Sequence, residues 1–299
     1  MKAVEARRRT PLKNILYLTD FSESSQGALP FAASIAREYD STIYALHVLV
    51  PAIYPNTPAE WVDAAAAIQE ECAEKDMRRV AYQLAELHHA TIVQRGVDIG
   101  ETLERTLKEH DIDLIVLGTH GRTGAERFLP GSVAEEVFRR SGVPVLTIGP
   151  LVPKGYQNNA RFRRVLYATD FTSGSLSAAP YANSLAQEHE AQLILLHVIR
   201  GRQIETDGNV KADNVANAIY ELRKLVPQEA ESWWQPDTVV DYGEPAERIL
   251  EIAKQRGADL IVLGICESSK HMGAPTHLEP STAFTVVAHA ICPMLTVRG

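Results

Sequence analysis

Cysteine is scarce in this chain: Cys72, Cys266 and Cys292 are odd in number and contain no Cys-x-x-Cys pair. A disulfide framework is therefore excluded, and a reduced, cytoplasmic setting is expected. No apolar run approaches the roughly 20 residues of a membrane-spanning helix. Positive charge is in deficit, with 30 Lys and Arg against 38 Asp and Glu and a formal net charge of -8. Bulk charge thus recruits neither nucleic acid nor an anionic membrane. The one basic cluster, Arg7-Arg8-Arg9, is not followed by the apolar stretch of an export signal and reads as a solvated tail. Catalytic loops are missing too. There is no Gly-x4-Gly-Lys-[Ser/Thr] loop, no kinase signature and no Gly-x-Ser-x-Gly elbow. Cys266, His271 and His277 lack any recognised zinc spacing, so no metal site is expected.

What is present is a duplication. Asn14-Ile15-Leu16-Tyr17-Leu18-Thr19-Asp20-Phe21-Ser22 is answered by Arg164-Val165-Leu166-Tyr167-Ala168-Thr169-Asp170-Phe171-Thr172. Ala28-Leu29-Pro30-Phe31-Ala32 is answered by Ala178-Ala179-Pro180-Tyr181-Ala182, and Tyr44–Val48 by Ile194–Val198, all at one offset of 150 residues. Further on, Asp259–Gly264 repeats Asp113–Gly118 at an offset of 146. Each half is read as one domain, 11–149 and 162–299, joined by the polar, breaker-rich linker 150–161.

Within each half, strand and helix signals alternate. The first half reads as a helix over 24–39, a strand over 42–50 and a long helix over 59–88. In that long helix Trp61, Ile68, Cys72, Val80, Leu84 and Leu87 are the candidate buried positions. A strand over 91–97, a helix over 101–110, a strand from Leu114 and a closing strand over 144–148 complete it. This alternation implies two tandem open parallel-sheet α/β domains with right-handed crossovers and helices on both faces. The closing strands, 143–148 and 291–297, are apolar edges expected to pair the two domains into an internal pseudo-dimer. Trp233-Trp234 reads either as a loop position or as an accessible contact through which chains associate into a homodimer. His47 and His197, inside apolar strands, read as core histidines with satisfied hydrogen bonds.

The chemistry-bearing stretch is Gly118-Thr119-His120-Gly121-Arg122-Thr123-Gly124, followed by Pro130-Gly131-Ser132-Val133. It joins a buried strand to a helical segment. Glycines let main-chain N–H groups approach an anion, and a helix start adds free donors and a positive dipole end. The stretch reads as a nucleotide cradle. Ser132 has two open roles, phosphate contact or helix cap with Glu135. Asp20 is either a ligand contact at a strand end or an acid bonded to its own turn. His120 and Arg122 either meet phosphate or face solvent.

The spacing Gly118-x2-Gly121-x9-Gly131-Ser132 after a hydrophobic strand resembles the ATP-binding signature of the universal stress protein family. Thr19-Asp20-Phe21-Ser22, His47-Val48, Gly131-Ser132-Val133-Ala134-Glu135 and the closing Val143-Pro144-Val145-Leu146-Thr147-Ile148 strengthen the resemblance. It covers nearly the whole chain, counted twice. It implies a Rossmann-like, adenine nucleotide alpha hydrolase-like fold and a stress-response regulatory protein holding ATP or another adenine nucleotide. Asp20 and the Val48 main chain would meet the adenosine end. Gly118, Thr119, His120, Gly121 and Arg122 would lie along ribose and phosphate, and Gly131, Ser132 and Val133 would bind phosphate oxygens. Any Mg²⁺ would rest mainly on phosphates and water. Leu18, where the family often has proline, and Pro130 are departures from the pattern.

In the second half Gly264 persists, but Glu267 occupies the second glycine position and Pro280-Ser281 the Gly131-Ser132 position. A carboxylate repels phosphate and a proline removes a donor, so one nucleotide per chain is expected, in the first half. A slow ATP hydrolase and an interaction scaffold with empty pockets are the alternatives.

Overall fold

Runs such as Leu114-Ile115-Val116-Leu117 and Leu260-Ile261-Val262-Leu263 are apolar at every position. In a sheet that pattern requires cover on both faces. The computed structural model of the chain describes residues 12–50, 59–96, 98–119, 134, 136–137, 141–153, 161–200, 208–227, 235–265 and 282–299. In it Ile115, Val116, Ile261 and Val262 are fully buried. The chain divides into two compact units, residues 12–160 and 161–299.

The first unit runs β1 (Asn14–Leu18), α1 (Glu23–Tyr39), β2 (Thr42–Leu49), α2 (Ala59–Gln83), β3 (His89–Arg95), α3 (Ile99–Glu109), β4 (Leu114–Gly118) and β5 (Val145–Ile148). Its strands are parallel in the order β3-β2-β1-β4-β5. The second unit runs β6 (Arg164–Ala168), α4 (Ser173–Leu176), α5 (Ala179–Glu188), β7 (Gln192–Ile199), α6 (Gly208–Arg223), β8 (Asp237–Tyr242), α7 (Pro245–Arg256), β9 (Leu260–Ile265), α8 (Thr282–His289) and β10 (Met294–Arg298). Its parallel order is β8-β7-β6-β9-β10. In each unit the chain builds outward from its first strand, then returns to that strand's other side. Right-handed crossovers in opposite directions place helices on both faces.

Local chemistry sets the boundaries. Ser22 caps α1 by accepting from the Ser25 N–H, and Asp40 closes that helix in the left-handed region at φ 54°. At the amino ends of the strands, Asp113 Oδ2 accepts main-chain N–H groups from Lys13 and Asn14 at 2.8 and 3.0 Å. Asp259 repeats the clamp on Arg163 and Arg164 at 2.7 and 2.9 Å.

The expected core of α2 needs correction. Val80 and Leu84 are buried, but Leu87 is only half-buried and Trp61, Ile68 and Cys72 are exposed, Trp61 by 72%. The stripe that packs inward is Ala73, Met77, Val80 and Leu84. No residue from Glu60 to Cys72 is buried. Both sets have helical spacing, and at 100° per residue they lie about 120° apart around the helix. Trp233-Trp234 and the linker residues 154–160 lie outside the described residues.

Candidate functional site

The strand order reverses at β1 and β4 in the first unit, and at β6 and β9 in the second. In open α/β sheets the crevice beyond the carboxyl ends of such strands is where ligands sit. Asp20 stands just past the end of β1, and Gly118 and Thr119 stand at and just past the end of β4.

The β1 end is a tightly built turn. Phe21 is held at φ 63°, a left-handed conformation that L-residues adopt at a cost of roughly 1–2 kcal/mol. Three contacts offset that cost. Asp20 Oδ1 accepts from the Ser22 N–H at 3.0 Å, and Thr19 Oγ1 accepts from the Phe21 N–H at 3.0 Å. The Phe21 ring lies against His47, with centroids 4.4 Å apart. His47 Nδ1–H donates to the Thr19 carbonyl at 2.8 Å, which places the proton on that nitrogen. His197 does the same to Thr169 at 2.8 Å. His47 is thus the buried, hydrogen-bonded histidine expected from the sequence, whereas His197 keeps the hydrogen bond but is only half-buried, not a core residue.

Beneath the turn, the Tyr17 hydroxyl donates to the Ser25 carbonyl at 2.8 Å, and the Thr19 and Ser25 hydroxyls bond each other at 3.1 Å. Burial pushes the Tyr17 phenol up to about 12, so it remains a donor across the physiological range. For Asp20, burial pushes the carboxyl up, but hydrogen bonds from Ser22 and Ser25 together outweigh it and hold the group below its ordinary value. Asp20 is thus an ionised, turn-forming carboxylate at neutral pH. Tyr17 and Ser25 were not singled out from the sequence, and Thr19 entered only as part of the Thr19-Asp20-Phe21-Ser22 strand end. Their signal was the recurrence of Tyr167, Thr169 and Ser175 at the same offset, where Tyr167 again donates to Ser175 at 2.8 Å.

Val48 presents its main chain to the crevice. The β1–β2 register ends at Leu18 opposite Leu46, with one more bond from the Thr19 N–H to the Leu46 carbonyl. On the other side, Gly96 N–H bonds the Leu49 carbonyl. Alternation along a parallel ladder directs the N–H and C=O of Val48 to the β1 side, where β1 has already turned away.

Gly118 has a packing reason that sequence did not disclose. A Cβ there would lie 2.3 Å from the Ser24 carbonyl oxygen in the first turn of α1. At Gly264 a Cβ would lie 2.1 Å from the Gly174 carbonyl oxygen. Thr119 is buried, and its N–H bonds the Ile148 carbonyl at 3.2 Å. Asp20, Val48, Gly118 and Thr119 are therefore grouped at one strand-end crevice. His120, Gly121, Arg122, Gly131, Ser132 and Val133 lie outside the described residues. Among the described residues no group of three or more His, Cys, Asp or Glu could hold a metal ion, and no helix is long and apolar enough to cross a membrane.

A model of the universal stress protein family matches residues 11–149 and, a second time, residues 161–298. The chain belongs to the universal stress protein family. Its tandem arrangement is shared with a universal stress protein of Mycolicibacterium smegmatis, 28% identical over 299 residues and covering 95% of this chain and 96% of the relative. A universal stress protein of Methanocaldococcus jannaschii is 36% identical over 140 residues, 46% of this chain and 81% of that protein. The crystal structure of a universal stress protein from Archaeoglobus fulgidus matches with a TM-score of 0.66 at 20% identity, over 95% of this chain and 98% of that one. At that identity the match shows the fold: two open parallel α/β domains in tandem.

Proposed function

We propose that this universal stress protein is a stress-response regulator holding ATP or a related adenine nucleotide in its first unit. The supporting observation is the pairing, at the strand-reversal crevice, of an ionised Asp20 with the unladdered main chain of Val48. A carboxylate and a strand-edge N–H and C=O match the hydroxyls of a ribose and the donor–acceptor edge of a purine. The residue types of 118–133, with Gly121, Gly131 and Ser132, suit a phosphate tail. In this reading the second unit, with Glu267 and Pro280 at the corresponding positions, is mainly structural. The regulatory output is carried by occupancy, in a cytoplasmic protein whose chains pair.

Titration calorimetry with ATP, AMP and cyclic AMP tests the reading. Saturable binding at one site per chain is expected. Asp20→Asn should weaken all three nucleotides about tenfold, or ~1.4 kcal/mol, and Asp170→Asn should leave them unchanged. Gly121→Glu, which copies the second half, should act most strongly on ATP. Full ATP affinity in both Asp20→Asn and Gly121→Glu, or no saturation in the parent protein, would sink the proposal.

A further inference from the structure

At the pole of the second unit away from its own β6 and β9 carboxyl ends, the amino ends of its strands border a groove of about 380 Å³. Its walls include Arg164 at the start of β6, Gln192 on β7, Asp237 at the start of β8, and Lys254, Arg256 and Gly257 around the end of α7. Three cations thus share one groove with one carboxylate. Arg256 Nη1 pairs with Asp237 Oδ2. Among the described residues, the Arg164 guanidinium and the Lys254 ammonium make no hydrogen bond or ion pair. Asp259 is near enough to Arg164 to feel its charge. Its two oxygens, however, already accept main-chain N–H groups from Arg163 and Arg164.

The first unit fills the same place differently. Its equivalents by offset are Asn14, Thr42, Lys108, His110 and Asp111, with Tyr44 beside them. There Tyr44 and His110 stack with centroids 4.4 Å apart, and the Asn14 amide donates to the Asp111 carbonyl at 3.1 Å. In the second unit the ring pair is gone, Ile194 replaces Tyr44, and Arg164 and Gly257 replace Asn14 and Asp111. Gly257 ends α7 at φ +61°, and a Cβ there would lie 2.8 Å from Arg164 Nη1. The guanidinium therefore lies across the helix end.

Cations on the last turn of a helix suit its dipole, and that accounts for Lys254 and Arg256. Arg164, a strand residue, brings a third cation to the same helix end. Asp237, paired with Arg256, and Asp259, close to Arg164, offset part of this charge, and the groove keeps a cationic excess that an anion would meet. Two planar guanidinium forks and one ammonium suit a tetrahedral oxyanion with several acceptor oxygens. The volume falls within the roughly 300–1,000 Å³ of small-molecule sites. We infer that this groove binds a phosphate dianion, either free or as the monoester of a small metabolite.

The test uses the full-length protein at low ionic strength, where surface charge is least screened. Inorganic phosphate and glycerol phosphate are titrated separately by calorimetry. Saturable binding of one or both is expected; the stronger of the two identifies the source. Arg164→Asn should weaken it about tenfold, ~1.4 kcal/mol, and Lys254→Gln, at an exposed position on the groove's edge, should weaken it less. Arg164→Lys should recover part of the loss. Asp20→Asn should have no effect, which separates this groove from the nucleotide reading. Absence of saturation at millimolar phosphate overturns the inference. So does phosphate binding that is lost in Gly121→Glu and kept in Arg164→Asn and Lys254→Gln, since it would belong to the first unit's loop.

Discussion

In both units the strand leading to the point of reversal ends in the same turn. Asp20 accepts the Ser22 N–H at 3.0 Å, and Asp170 accepts the Thr172 N–H at 3.0 Å. Phe21 and Phe171 share φ 63°, and each stacks on or tilts against a histidine 4.4 to 4.5 Å away. A glycine seated against the first helical turn lies at the end of the neighbouring strand in the first unit and one residue before it in the second. Away from this turn the units diverge. The opposite pole carries a ring pair in one and cations in the other, and the glycine positions after Gly118 and Gly264 differ in sequence. The turn and its glycine are thus requirements of the fold, since they persist in a half whose phosphate loop is altered. Asp170 and Gly264 alone do not argue for a second nucleotide. Discrimination between the halves must come from the residues that differ.

The strongest way to break this comparison is to fill the two glycines. Gly118→Val and Gly264→Val each drive a side chain into a main-chain carbonyl, and each should lose about 3 kcal/mol in urea unfolding. A tolerated Gly264→Val beside a disabling Gly118→Val would mean that only the first glycine is under a packing constraint. Next, Tyr17→Phe and Tyr167→Phe remove matching buried hydrogen bonds to the Ser25 and Ser175 carbonyls. Each should cost about 1 kcal/mol, and a large inequality would show that the turns differ in strength.

Acid titration sharpens the comparison without large structural change. Asp20 and Asp170 have folded values below the ordinary aspartate value, burial raising each and hydroxyl and main-chain donors lowering each by more. Their contribution to stability is present above the unfolded value and is lost as pH falls through the folded value. Asp259 has the opposite sign: burial raises its folded value against its main-chain donors. It favours the folded state increasingly as pH falls through that raised value. Thermal melts from pH 6 to pH 3 should therefore show a flatter acid decline for Asp20→Asn and a steeper one for Asp259→Asn. The smallest effect is expected at Trp61→Ala, where an exposed indole on α2 should change stability by no more than about 0.5 kcal/mol. A larger loss would show that the outer stripe of α2 is covered in solution.

The repeat, the parallel α/β class and most element boundaries could be read from sequence, because they depend on local matters. Apolar runs, caps, breakers and a constant offset need no knowledge of what lies across the fold. The crevice was legible in part for the same reason, since Asp20 and Val48 fall at strand ends. The inward face of α2 was not legible. Two stripes of equal helical spacing compete there, and only contact with the sheet selects Ala73, Met77, Val80 and Leu84. Nor was the constraint on Gly118, whose limiting neighbour Ser24 is distant in sequence. By itself the chain's order of residues determined two copies of one fold and where each strand should stop. Which helix stripe is covered, why a glycine is obligatory and where cations gather were decided by tertiary structure. Those outcomes depend on which surfaces meet, and no local pattern records that.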